Sequence, residues 1–218
     1  METTRAVRAA SWLMVLAVIA APATAVEKTL QNDSFAGSGQ VICVAGSSFA
    51  EEDTAAARFT PAPGDYPFQI LEIHVLACPS GAQDFVALRI WEDDGFSLEP
   101  VDLLHEEFFT LVGSDLALNG LDVRALGLTV TSGSIRIGFQ YWSNHATPVG
   151  IATDMDGHVI PQPNFFYNEG TLSWHQADFF GVNNDWIIRV VIDANDAPPL
   201  FADGFESGDT TEWSATVE

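Results

Sequence analysis

Apolar and polar positions alternate strictly along several stretches of the chain. Val86, Leu88 and Ile90 take one parity, and Phe85, Ala87, Arg89 and Trp91 take the other. Ile135, Ile137, Phe139 and Tyr141 alternate with Ser134, Arg136, Gly138 and Gln140, and Leu71, Ile73 and Val75 with Ile70, Glu72 and His74. A period of two in segments rich in β-branched and aromatic residues predicts strands with one face in a core. Residues 186–192 are almost continuously apolar, which predicts a strand covered on both faces. Turn formers punctuate these runs, as in Pro79-Ser80-Gly81, Asp93-Asp94-Gly95, Thr131-Ser132-Gly133 and Asn183-Asn184-Asp185. No helical period stands out after the first 25 residues. Many short strands with regular turns predict an all-β chain: an antiparallel β-sandwich, jelly-roll or immunoglobulin-like, forming a single domain.

The two ends read differently from the middle. Arg5 and Arg8 precede an apolar run from Trp12 to Ala21, then Pro22 and the small residues Ala23-Thr24-Ala25. That order is the pattern of a cleavable secretory signal over residues 1–25, with an apolar run too short to span a bilayer. The predicted domain covers residues 26–193, and residues 194–218 read as a Pro-containing linker and a short acidic tail. Secretion, or retention in a periplasm, is the expected location.

Removing Glu2, Arg5 and Arg8 leaves 6 basic and 29 acidic residues, a formal charge of −23. Such a charge repels nucleic acid phosphates and anionic headgroups. Apolar residues make up 47% of the chain, enough for a folded core at that charge. The only two cysteines, Cys43 and Cys78, are expected to pair in an oxidising compartment.

Four segments recur in an order that is familiar from elsewhere: Arg58-Phe59-Thr60-Pro61 with Tyr66-Pro67, then Leu88 to Gly95, then Ser132 to Phe139, then Asp185 to Val191. Together they resemble an accessory β-sandwich module of bacterial secreted and cell-surface proteins, often appended to proteases or other extracellular enzymes. The resemblance implies a sandwich fold and an accessory role, and it brings no catalytic residues with it. The tail from Phe201 to Asp209, with Trp213, resembles a recurring C-terminal segment of bacterial secreted proteins.

Candidate chemistry is sparse. Asp154-Met155-Asp156-Gly157 spaces two carboxylates as calcium loops do, so Asp154 and Asp156 are candidate calcium ligands; Asp and Gly also simply suit turns. Glu92-Asp93-Asp94-Gly95 is a second acidic turn. His145, His158 and His175 have no zinc spacing. Neither G-x-S-x-G nor H-E-x-x-H occurs, and Glu106-Glu107 offers a glycosidase pair only if two carboxylates flank one cleft. Trp91, which shares parity with Arg89 and Phe85, and Trp142, beside Ser143, are the candidate ligand-binding aromatics. The expected function is non-catalytic binding or adhesion toward a polysaccharide or a cell-surface protein. A calcium-stabilised surface protein and a carboxylate-dependent glycoside hydrolase are the alternatives.

Overall fold

The computed structural model describes residues 25–38, 40–44, 48–114, 116–142, 149–158 and 162–195. The predicted signal, apart from Ala25, and most of the predicted tail, with Trp213, lie outside these residues, as does His145. Among the described residues, fourteen strands follow one another: β1 (Ala25–Gln31), β2 (Ile42–Val44), β3 (Thr54–Phe59), β4 (Phe68–Val75), β5 (Ala77–Cys78), β6 (Gln83–Asp93) and β7 (Leu103–Val112). Then come β8 (Asn119–Asp122), β9 (Thr129–Val130), β10 (Ser134–Tyr141), β11 (Gly150–Thr153), β12 (Asn164–Asn168), β13 (Ser173–Gln176) and β14 (Ile188–Asn195). Helical structure among the described residues is limited to short 3-10 turns such as Pro63–Asp65 and Ala177–Phe180, so none is long and apolar enough to cross a membrane.

All the pairings are antiparallel, and the chain is an all-β, sandwich-like single domain. One sheet runs β1-β14-β4-β8, with β9 also on β4; the other runs β13-β12-β3-β10-β6-β7. Between them lies a continuous core. Phe68, Ile70, Ile73, Val75, Ile188, Val190 and Ile192 enter it from the first sheet, and Ala57, Phe59, Val86, Leu88, Ile90, Ile135, Ile137 and Phe139 from the second. A third, small sheet, β2-β11-β5, closes one end over Phe35, Leu76, Ala152 and Ile187. The Cys43–Cys78 disulfide joins its two outer strands. Such a bond persists in oxidising compartments.

Three details depart from the sequence pattern. Ile70 sits in the core with Ile73 and Val75, where alternation puts Leu71. Val191 pairs with Glu72 and Ile192 with Ile70, so Leu71 is the extra residue of a bulge that shifts the phase of β4. The final strand also continues past Asp193. Ala194 pairs with Val26 and is buried, and Asn195 pairs with Ala25, so these two belong to the sheet rather than to a linker. Lastly, every residue of β10 is buried, including the polar parity Ser134, Arg136 and Gln140. The outward face of the six-stranded sheet is therefore itself covered along β10.

Candidate functional site

Cross-strand register sets up the outer face of the six-stranded sheet. One row runs Trp174, Tyr167, Thr54, Gln140, Ala87, Phe108 across all six strands. The next runs Gln176, Phe165, Ala56, Gly138, Arg89, Glu106, and a third holds Arg58, Arg136 and Trp91. The small residues Ala56 and Gly138 leave a trough, and the Trp91 ring leans into it. A Cβ on Gly138 would stand 2.9 Å from both Trp91 Cζ3 and Thr54 Cγ2, and 3.0 Å from Ala56 Cβ. We expect Gly138→Ala to cost about 1–3 kcal/mol by overpacking and to alter the near-ultraviolet circular dichroism of the packed tryptophans. A variant within roughly 0.5 kcal/mol of the parent, with an unchanged spectrum, would contradict this packing.

Beside the trough, a buried ionic cluster holds the face in place. Asp93 accepts from Arg136 Nε at 2.8 Å and lies 2.6 Å from Arg58 Nε. Arg136, fully buried, also donates to the Leu98 carbonyl at 2.6 Å and to that of Ser97, while Arg58 donates to the carbonyls of Gly95 and Ser97. Both guanidiniums lie over the Phe165 ring, at 4.6 Å for Arg58 and 3.8 Å for Arg136. Burial pulls Arg136 down to about 10 against the opposing pull of Asp93, so it stays charged at neutral pH. Three of the four recurring segments thus meet at one ion cluster: Arg58 from the first, Asp93 from the second and Arg136 from the third. The second acidic turn is occupied in the same way. Asp94 accepts from the amides of Phe96 and Ser97, and the Ser97 hydroxyl is the main group holding its carboxyl below the usual range.

Above this base opens a pocket of about 390 Å³, lined by Glu52, Thr54, Arg89, Trp91, Gln140, Trp142, Tyr167, Glu169 and Trp174. That volume is in the range of small-molecule sites. Trp91 and Trp142, the two aromatics singled out by sequence, both line it, but they differ in exposure. Trp142 is 46% exposed at the end of β10, whereas Trp91 is only 7% exposed. The open setting expected for Trp91 from its parity is corrected by Trp174, whose ring crosses it edge-on at 5.4 Å. Outside the pocket the aromatic surface continues. Phe108 meets Trp142 edge-on at 5.0 Å and stacks on Phe85 at 5.5 Å, and both phenylalanines are exposed.

The polar rim is built with equal definition. The buried Asp53 carboxylate accepts the Ala50 amide at 2.8 Å and the Glu169 amide at 2.9 Å, tying the segments that carry Glu52 and Glu169 to each other. Glu52 itself has φ of 71°, a left-handed conformation uncommon for a side chain of this size. Hydrogen bonds from its amide to the Tyr141 carbonyl (2.7 Å) and from Gln140 Nε2 to its own carbonyl (3.1 Å) hold it there. Gln140 is buried, yet its Oε1 has no hydrogen-bond partner among the described residues. Burial, then the neighbouring Glu169 carboxylate, raise the Tyr167 phenol above its ordinary value. Arg89 donates to Glu106 at 2.6 Å.

The remaining candidates lie elsewhere. Asp154 is buried at the other end of the sandwich, and both its oxygens accept backbone amides, from Ser34 at 3.0 Å and Asp185 at 3.1 Å. Burial raises it to about 6; Asp156, exposed beside it, is lowered, chiefly by the Ser34 hydroxyl. The neighbouring Asp156 carboxyl adds to the rise at Asp154, and no group of three or more His, Cys, Asp or Glu side chains suited to a metal occurs among the described residues. Glu106 and Glu107 are successive on β7 and so point to opposite faces, with Glu106 on Arg89 and Glu107 near His105. They do not flank one cleft.

The sequence pattern marks neither Glu52 nor Glu169, offers Tyr167 and Trp174 only as two of many aromatics, and gives no role to Gln140. A polar residue in the middle of a β-branched and aromatic run, as Gln140 is, was the one local signal available. No family model matches the chain, and no curated protein or solved structure matches it either.

Proposed function

We propose that this chain is a secreted, non-catalytic carbohydrate-binding protein, acting outside the cell or in the periplasm as an accessory or adhesive module toward polysaccharide. One observation carries the reading: an aromatic-walled pocket with polar groups on its floor continues into an exposed row of rings, Trp142, Phe108 and Phe85. Sugars present apolar C–H faces and a rim of hydroxyls, so they call for flat rings beside hydrogen-bonding side chains. The cross-strand row from β13 to β7 contains five strand spacings of about 4.8 Å, or roughly 24 Å, which suits a chain of several sugar units rather than one. The signal-like first 25 residues and the disulfide support an exported location.

Native gel electrophoresis through a panel of soluble polysaccharides tests this. Retention of the parent is expected. Trp142→Ala should weaken it by about 1–2 kcal/mol, roughly 5–30-fold, with the unfolding midpoint unchanged because the ring is half exposed. No retention by any polysaccharide, or full retention of the variant, would reject the assignment. Release of reducing ends would instead mark a hydrolase, with Glu52 and Glu169 as its first candidates.

A further inference from the structure

We infer that the pocket selects amino sugars carrying a free, positively charged amine over neutral or N-acetylated ones. This rests on the glycan-binding reading above and names the sugar class. The argument begins with charge. Glu52 and Glu169 line the pocket, and Glu99 stands close by, its Oε1 3.5 Å from the Trp174 amide. All three carboxylates act on Tyr167. Among the described residues the one basic side chain of the lining is Arg89, and its Nε already engages Glu106. Carboxylates thus outnumber basic groups around the pocket even with Arg58, Arg136 and Asp93 in the base beneath it, in a chain whose net charge is itself −22.

Hydrogen-bonding capacity points the same way. Gln140 donates from Nε2 to the Glu52 carbonyl, and its buried Oε1 has no partner among the described residues. The Glu52 and Glu169 carboxylates only accept. An ammonium group brings three donors and no acceptor, which suits two such rim groups; an acetamide brings one donor and a carbonyl that would face carboxylates. The walls are suited to the same charge. Trp142, Tyr167, Trp91 and Trp174 line the space, and an aromatic face attracts a cation. Asp53 acts as a positioning residue, since its carboxylate fixes the Glu169 backbone from beneath without lining the pocket.

Titration calorimetry on the full chain provides the test, with three oligosaccharides of equal length: β-1,4-linked glucosamine, its N-acetylated counterpart and a cello-oligosaccharide. The glucosamine oligomer should bind about tenfold tighter than either of the others. That preference should shrink as salt rises from about 0.1 to 1 M, where the Debye length falls from roughly 10 to 3 Å. Glu169→Gln should reduce the ratio between the glucosamine and N-acetylated oligomers. The salt series on the parent protein keeps the test decisive even if the variant folds poorly. Equal or tighter binding of the neutral or N-acetylated oligomers would overturn the charge selectivity while leaving glycan binding in place. Failure of all three to bind would overturn both.

Discussion

Asp93→Asn is expected to destabilise the domain by about 3–5 kcal/mol, because it leaves two guanidiniums buried without their counter-charge. Arg136 and Asp93 have no solvent-exposed side-chain surface at all, and Arg58 very little, so water cannot take the place of the lost carboxylate. The neutral amide keeps the shape and can still accept from one arginine, which separates the loss of charge from the loss of volume. Denaturant unfolding of the parent and the variant gives the number directly. A loss under roughly 1 kcal/mol would show that the carbonyls of Gly95, Ser97 and Leu98, together with the Phe165 ring, satisfy both arginines unaided. The same variant should loosen residues 94–99, since the arginines tie that segment to the sheet. Through Glu99 and Trp174, the change would reach the pocket wall.

Reduction of Cys43–Cys78 should have an effect of comparable size, about 4 kcal/mol from the chain-entropy relation for a loop of this length. The closed loop spans 35 positions and contains β3 and β4, one strand from each of the large sheets. Opening it therefore frees the unfolded chain at a point that constrains both layers. Urea midpoints with and without reductant measure the effect. A shift equivalent to less than roughly 1 kcal/mol would mean that the three residues of β2, two of them exposed at the sheet edge, detach alone while the rest of the domain stays folded.

Much of this architecture is legible in the sequence, for reasons that can be named. The parity of β6 and β10 places Val86, Leu88, Ile90, Ile135, Ile137 and Phe139 in the core because the side-chain period of a strand is two whatever its partners. Two cysteines leave one intramolecular pairing. Parity fails at Leu71, because a bulge is decided by the neighbouring strand and leaves no mark in a local pattern. It also fails to report what covers a face. Arg89, Trp91, Arg136 and Gln140 carry the polar and amphipathic signature of an outer surface, yet Trp174 and the segment after Asp93 close over much of it. The pocket draws its lining from five separate stretches of chain, and only register between distant strands assembles it. That is why Trp91 and Trp142 could be singled out as candidates while Glu52 and Glu169, two acids among many in an acidic chain, could not.

The pairing of Ala25 with Asn195 has an architectural consequence. Opposed residues of an antiparallel pair lie about 5 Å apart, so the two chain ends of the domain share a single doorway. That doorway opens on the edge strand of one sheet, whereas the aromatic pocket looks outward from the other. A host protein could carry the whole domain as a graft within one of its own loops, with entry and exit at a single stem. Cargo joined at Ala25 or Asn195 would leave from the same point, on the sheet opposite the one that carries the rings.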